Sequence, residues 1–145
     1  MITVPSVVVD LIDAFRRSKA MFAAVSLGVF DSLHGQSLTA PSLAQSLKTD
    51  PASLERLLDG CVGLKLLSKT ENLYANSPEA DLYLRQASPD SLVGYIRYSD
   101  RVLWSLWANL DSAVREGTHR WDQTFGGRGA LFANFFATDE SKREF

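Results

Sequence analysis

The sequence is poor in the residues that carry most catalytic and metal chemistry. Its 145 residues include one cysteine, Cys61, and two histidines, His34 and His119. A single cysteine excludes an internal disulfide and suits a reducing compartment. Cys61 falls on the apolar side of a predicted helix, which favours a buried structural thiol over a nucleophile. We expect His34 to cap a helix end, His119 to lie on the surface and neither to bind a metal.

Sequence motifs of common enzymes are also missing. There is no HExxH, CxxC or GxSxG pattern. The glycines at 126, 127 and 129 follow no predicted strand and lack the Lys-Ser/Thr ending of a P-loop. The sequence therefore lacks the motif that usually binds a nucleotide or an S-adenosyl cofactor. We predict no catalytic residue, no metal site and little or no binding of S-adenosylmethionine by this chain alone.

Long apolar runs and an excess of positive charge are absent too. No run approaches the roughly 20 apolar residues that span a bilayer, and residues 1–5 lack the basic start of a signal peptide. We therefore predict a cytoplasmic protein without membrane contact. Lysine and arginine number 15 against 17 acidic residues, and the pI is near 5.6. This balance disfavours nucleic-acid binding, because phosphate neutralisation supplies much of that affinity.

The composition is that of a folded protein. Hydrophobic residues make up 46% and charged residues 22% of the chain, so a core is available and general disorder is excluded. At this length we predict one domain over residues 1–145.

The most informative stretch lies between Thr39 and Asn76. Thr39 and Asp50 are each closely followed by a proline and an apolar helical pattern, which predicts two capped helices joined by a short turn. Residues 66–70 and 73–76 then read as two strands around a tight turn. Helix, turn, helix and hairpin are the order of a winged helix-turn-helix. We assign this unit to residues 38–77 within a mainly α fold that has additional long helices.

Residues 4–33 carry more apolar surface than one packing partner needs. Apolar side chains recur every three or four residues and are flanked by others that widen the stripe. This breadth favours burial on two sides, against the same domain and against a second copy in an intertwined homodimer. A central core helix is the open alternative. Gly28 should end the helix, with a short second helix after it.

The second half of the chain reads as more helices. Ser77-Pro78-Glu79 opens a short one, and Ser88-Pro89 opens another that continues to Gly117. A single helix of that extent would be about 42 Å long, so we expect a bend at Ser99-Asp100. Aromatic residues crowd this segment and favour core or interface over a ligand site. Residues 118–130 read as a loop.

The last residues suggest a cut chain. A short helix is predicted from Ala130 to Ala137, and Thr138 caps one more that stops after barely two turns. We therefore expect that a second domain followed residue 145, removed by design or by proteolysis.

Four segments in order resemble the amino-terminal domain of the acetylserotonin O-methyltransferase-like family, which belongs with the caffeate-type small-molecule O-methyltransferases. They are LGVFDSL at 27–33, LERLLDGCVGLKLLSKT at 54–70, AVREG at 113–117 and TFG at 124–126. The resemblance implies a winged-helix dimerisation domain. It also implies a Rossmann-like catalytic domain after residue 145 that binds S-adenosylmethionine and supplies a histidine base.

The resemblance also implies roles for individual residues. Tyr98 and Phe132 resemble side chains that line the acceptor pocket, and Phe136 stands where the family often has a tyrosine near the cofactor. In this family the first helix reaches toward the partner's pocket, which points to Ser18, Met21 and Phe22 as substrate-binding residues. Ordinary core or dimer packing is the alternative for all of them.

The function implied is dimerisation and acceptor-pocket formation in an O-methyltransferase acting on a small aromatic hydroxyl compound. The acceptor itself stays open, and whether the chain alone is an enzyme is left undecided. The rival interpretation is a winged-helix transcriptional regulator. Its recognition helix would expose Glu55 and Asp59, with only Arg56 and Lys65 as bases, which is poor in positive charge for DNA. A free-standing dimerisation adaptor is a third possibility.

Overall fold

The computed structural model describes residues 6–127. The chain divides into two compact units between Leu92 and Val93, and each is described by itself. The architecture is mainly helical with a small two-stranded sheet, as predicted. In the described residues no helix is both long enough and apolar enough to cross a membrane.

The first unit contains five helices and one hairpin within residues 6–92. In order they are α1 (Ser6–Leu27), α2 (Val29–Ser32), α3 (Ala40–Leu47), α4 (Pro51–Gly63), β1 (Leu67–Thr70), β2 (Leu73–Asn76) and α5 (Pro78–Tyr83). The predicted order of helix, turn, helix and hairpin is confirmed over α3 to β2. Gly28 has a φ of 81° and separates α1 from α2, because glycine adopts this left-handed conformation without a side-chain clash.

Capping side chains fix where three of these helices begin. Thr39, Asp50 and Ser77 precede α3, α4 and α5, and each accepts a hydrogen bond from the backbone N–H three residues later. The donor–acceptor distances are 3.3, 2.8 and 3.1 Å. Each helix has a proline in its first turn, where no intrahelical N–H bond is lost.

The hairpin is antiparallel, and one further residue, Leu38, pairs with the outer edge of β2. Leu67 pairs with Asn76 and Thr70 with Leu73 across a turn in which Glu71 has a φ of 55°. On the other side of β2, Leu38 and Tyr74 exchange backbone hydrogen bonds of 3.0 and 2.8 Å. The hairpin is thereby tied to the segment that leads into α3.

The core of the first unit lies between the helices and β2. Its largest fully buried side chains are apolar or aromatic: Tyr74, Phe30, Leu33, Leu43, Leu58, Val29 and Cys61. Burial raises the pKa of the Cys61 thiol to about 11, so it stays protonated at neutral pH. The thiol is a packing group, as predicted.

The predicted role of His34 as a helix cap is wrong. Its ring Nδ1 lies 3.0 Å from a carboxylate oxygen of Asp81 on α5. Helix α2 has only four residues, so its dipole is weak, and the carboxylate is the stronger partner.

The described part of the second unit, residues 93–127, is a succession of short helical segments. These are α6 (Val93–Tyr98), a π-helical segment (Ser99–Leu103), α7 (Trp104–Trp107), α8 (Leu110–Glu116) and α9 (Trp121–Phe125). Gly117 ends α8 with a φ of 66°, as predicted. The bend expected at Ser99-Asp100 is instead a widened turn, in which the N–H of Trp104 donates to the carbonyl of Ser99.

Two predicted boundaries differ from the structure. The helix expected from Pro89 begins at Val93, because the Ser88 hydroxyl donates to the Leu82 carbonyl at 2.5 Å and holds a turn instead of capping a helix. Part of the loop expected over 118–130 is helix α9. Residues 128–130 and the helices predicted after them lie outside the described residues.

Candidate dimerisation surface

Helix α1 presents apolar side chains on two different sides. At about 100° per residue, Ala24, Val25, Ala20 and Met21 lie on one side. Ala24 and Val25 are buried, and α1 contacts α2 and α4 of its own unit. The C-terminal half of the helix therefore packs into the core of the first unit.

The other apolar side of α1 is exposed. Val7, Leu11 and Phe15 recur every four residues and are 71%, 69% and 53% exposed, with Val8 and Ile12 beside them also more than half exposed. We call these five residues the outer face of α1. Burying one such side chain contributes about 1.5–3 kcal/mol, so an exposed row of five is unfavourable in water. Contiguous exposed patches of this kind mark contact surfaces.

Four charged side chains of α1 pair with one another, and the Arg16 guanidinium also lies 5.7 Å from the centre of the Phe15 ring on the outer face. Arg17 contacts Asp10 at 2.7 Å and Arg16 contacts Asp13 at 3.0 Å. The hydrogen bond from Arg17 lowers the pKa of Asp10. Because these charges are balanced within the helix, a second surface can cover the outer face without burying an unpaired ion.

The three residues of α1 predicted to bind substrate do not all point the same way. Ser18 and Phe22 continue the helical row of Leu11 and Phe15, whereas Met21 lies toward the side that packs on the first unit. Ser18 is exposed and its hydroxyl donates to the Ala14 carbonyl at 3.4 Å, while Met21 and Phe22 are half-buried.

The remaining predicted site residues belong to the second half of the chain. Tyr98 is half-buried at the last position of α6, directly before the π-helical segment. Phe132 and Phe136 lie outside the described residues.

The second unit has exposed apolar side chains that helical periodicity does not distinguish from core. Leu110 and Val114 are 49% and 75% exposed and lie four residues apart on α8, and Tyr95 and Trp107 are also exposed. The sequence signal was the aromatic crowding, which indicated core or interface without choosing between them.

The hairpin carries a polar cluster that bears on the rival DNA-binding interpretation. Lys69 of β1 donates to the Asp59 carboxylate of α4 at 2.8 Å, and the Tyr74 hydroxyl donates to the same oxygen at 2.6 Å. The Lys69 ammonium also lies 4.8 Å from the centre of the Tyr74 ring. These contacts raise the pKa of Lys69 and lower that of Asp59. The lysine of the wing is therefore directed to Asp59 and not outward to a phosphate.

Neither strand of the described residues leads into a glycine-rich turn of the kind that holds nucleotide cofactors. Within residues 6–127 the only strands form the β1–β2 hairpin, and neither is followed through such a turn by a helix. That strand, turn and helix provide the backbone N–H groups on which such cofactors usually rest.

Comparison with known proteins gives consistent similarities. The chain is 34% identical to acetylserotonin O-methyltransferase of Gallus gallus over 97% of its own length and 43% of that protein. Its structure resembles human N-acetylserotonin methyltransferase in complex with SAM, with 31% identity, a TM-score of 0.83 and coverage of 97% and 43%. It also resembles PigF with SAH, with 26% identity, a TM-score of 0.88 and coverage of 99% and 43%.

These similarities extend over nearly the whole chain, but the chain spans less than half the length of the relatives it matches. Residues 9–86, more than half of the chain, match the family described as the O-methyltransferase dimerisation domain. The matched range contains most of α1, including Leu11, Ile12 and Phe15 of its outer face, together with the helix-turn-helix and the hairpin. The chain belongs to the O-methyltransferase dimerisation domain family.

Proposed function

We propose that this chain joins two subunits of an S-adenosylmethionine-dependent O-methyltransferase through the outer face of α1. The exposed row of Val7, Leu11 and Phe15 carries the proposal, because it is apolar, continuous and free of unpaired charge. Two copies would meet through the same surface in an isologous contact, the commonest arrangement of homodimers.

The parent protein is proposed to transfer a methyl group to a hydroxyl of a small aromatic acceptor. Relatives whose names specify acetylserotonin O-methylation support this class. In the proposal, residues 1–145 form the winged-helix dimerisation domain, with its winged unit at 38–77. A Rossmann-like domain after residue 145 binds S-adenosylmethionine and provides the base. The buried free thiol of Cys61 suits a reducing compartment and supports placement in the cytoplasm.

The acceptor would rest against aromatic and apolar side chains of this chain. We assign Tyr98 and Phe132 to one subunit's pocket, and Ser18, Met21 and Phe22 to the helix that reaches the partner's pocket. The outward position of Ser18 and Phe22 supports a role across the subunit boundary, and the inward position of Met21 makes it the weakest of the three assignments. Phe136 is assigned to the cofactor side, where its ring can pack but cannot donate a hydrogen bond.

The contribution of these residues to catalysis would be positional. S-adenosylmethionine, when bound by the parent protein, supplies the methyl group. Flat aromatic side chains hold the acceptor ring in one orientation and exclude water from it, and holding reactants in line supplies much of the rate in such a step. The proton of the acceptor hydroxyl goes to a base outside this chain.

The oligomeric state tests the proposal directly. The chain should have the mass of a dimer by light scattering at micromolar concentration. Leu11→Asp should give a monomer, because it places a charge in the middle of the outer face. Leu73→Asp, the same change at an exposed leucine of the hairpin, should stay dimeric. A monomeric mass for the unchanged chain would refute the proposal.

A further inference from the structure

A cleft of about 340 Å³ opens on the first unit between the α2–α3 connection and the start of α5. This volume is within the usual range of small-molecule sites and corresponds to about ten non-hydrogen atoms, at roughly 30 Å³ per water-sized atom. The cleft is separate from the outer face of α1, since no residue of that helix lines it.

The residues that line the cleft include an apolar set, which we call the apolar wall, and a polar set, which we call the polar wall. Leu33, Ala75 and Pro78 form the apolar wall, and Asn76 and Asp81 belong to the polar wall. Asp81 is the only ionisable residue among the nine that line the cleft, and no lysine or arginine is among them. The lining therefore carries one negative charge beside an apolar surface.

The carboxylate of Asp81 keeps unused capacity to accept hydrogen bonds. Its Oδ1 faces the Asn76 amide nitrogen at 3.0 Å, His34 at 3.0 Å and Arg85 at 3.2 Å. In the described part of the chain its Oδ2 contacts only His34, at 3.2 Å, and the side chain is 34% exposed. A carboxylate offers about four acceptor positions, so Oδ2 can take a further donor.

A second group in this wall also lacks a donor. The amide nitrogen of Asn76 donates to the Phe30 carbonyl at 2.8 Å and to Asp81, and its buried Oδ1 has no hydrogen-bond partner among residues 6–127. Hydrogen bonds from Asn76 and His34 lower the pKa of Asp81, which is therefore ionised at neutral pH. The polar wall thus offers one anionic acceptor to the cleft, the Asp81 carboxylate.

We propose that this cleft binds a small amphipathic primary amine, whose ammonium group donates to Asp81 Oδ2 while its apolar body lies against Leu33, Ala75 and Pro78. An ammonium group suits the wall because it carries three donors and a positive charge, and because Arg85, the cation that pairs with Asp81, contacts Oδ1 and leaves room at Oδ2. The apolar wall then distinguishes such an amine from a bare ammonium ion.

The proposal is tested by NMR titration of the 145-residue chain with 2-phenylethylamine, which is of the required size. The Asn76 side-chain amide and the backbone amides of Ala75 and Ser77 should shift saturably, with a dissociation constant of roughly 1 mM for so small a ligand. The neutral isostere 2-phenylethanol should cause no saturable shift. Equal responses to both compounds, or no response to the amine, would overturn the proposal.

Three variants distinguish the contribution of the Asp81 charge, the need for an open cleft and a general loss of folding. Asp81→Asn should abolish binding of the amine, and Ser37→Phe, which fills the cleft from an exposed position, should do the same without removing any contact of Asp81. Glu79→Gln, an exposed carboxylate on α5 that does not line the cleft, should bind normally. Melting curves show which variants are folded. Saturable binding that survives in folded Ser37→Phe would refute the site.

Discussion

Asp59 is the residue through which α4 holds the hairpin. Its carboxylate accepts hydrogen bonds from Lys69 and Tyr74, and these lower its pKa below the ordinary value of 3.8 for an aspartate. A carboxyl with a lowered pKa in the folded state contributes stability above its unfolded pKa and loses it as the pH falls through the folded value. We expect Asp59→Asn to lower the melting temperature at pH 7, and the difference from the unchanged chain to close as the pH falls below about 3.8.

The control for Asp59 is another carboxylate on the same helix. Glu55 is exposed on α4, so Glu55→Gln should change the melting temperature little at either pH. A difference between Asp59→Asn and the unchanged chain that stays constant from neutral to acid pH would show that the carboxylate charge is not the cause.

Substitutions at Leu58 test whether this side chain belongs to the core of the first unit. It is fully buried on α4. Leu58→Ala should reduce the free energy of unfolding by about 2–5 kcal/mol, and Leu58→Asp should prevent folding because it buries a charge. Leu82→Ala, at a leucine that is 40% exposed on α5, should cost about 1 kcal/mol or less, measured by urea denaturation. Similar losses for the two alanine variants would place Leu58 outside the core.

Single residues show what local sequence can and cannot predict. Thr39, Asp50 and Ser77 were recognisable as helix caps because a cap and its helix are neighbours in sequence. The contact of His34 with Asp81 joins residues 47 positions apart, and that of Asp59 with Tyr74 joins residues 15 apart. No local pattern contains such pairs, since the fold alone brings them together.

At the scale of elements, we expect substitution by alanine to have opposite effects on the free energy of unfolding at two glycines. Gly117 ends α8 with a φ of 66°, and an added Cβ would meet no atom within 4 Å. Gly117→Ala should therefore reduce the free energy of unfolding by about 1 kcal/mol through backbone strain alone. Gly60 lies inside α4 with equally open space.

Gly60→Ala provides the matched comparison. It should increase the free energy of unfolding by about 0.5–1 kcal/mol, because alanine is the better helix residue and needs no left-handed backbone. Thermal or denaturant unfolding followed by circular dichroism measures both variants. If Gly117→Ala is as stable as the unchanged chain, the left-handed end of α8 is not formed in solution.

Elements with strong local signals were predicted well, and those without them were not. The α3–α4 pair and the hairpin combine caps, periodicity and a change of period, and all of them are present. The helix start predicted at Ser88-Pro89 was wrong. Ser-Pro is a common helix start, but here the Ser88 hydroxyl donates to the Leu82 carbonyl. A π-helical segment of five residues leaves no distinctive periodicity in the sequence. The sequence therefore indicated a bend at this position but not that the bend is a π-helical turn.

On the scale of the whole molecule, the outer face of α1 should link stability to protein concentration. Exposed apolar residues on one helix were predicted from the breadth of the stripe, but only the structure separates the side that packs inward from the side that faces outward. If two copies cover that outer side, the dimer is stabilised over the unfolded chain by mass action. The melting temperature should therefore rise as the concentration increases from 1 to 100 µM, roughly a hundredfold range.

Salt should have little influence on this concentration dependence. The ion pairs Asp10–Arg17 and Asp13–Arg16 form within one helix, and the five residues of the outer face are themselves apolar. Salt therefore screens little of the proposed contact. In Leu11→Asp the melting temperature should be independent of concentration, whereas Leu73→Asp should behave like the unchanged chain. Differential scanning calorimetry at two salt concentrations measures all of these. A melting temperature that does not change with concentration in the unchanged chain would show that α1 leaves its outer face in water, and the dimer would have to be sought elsewhere.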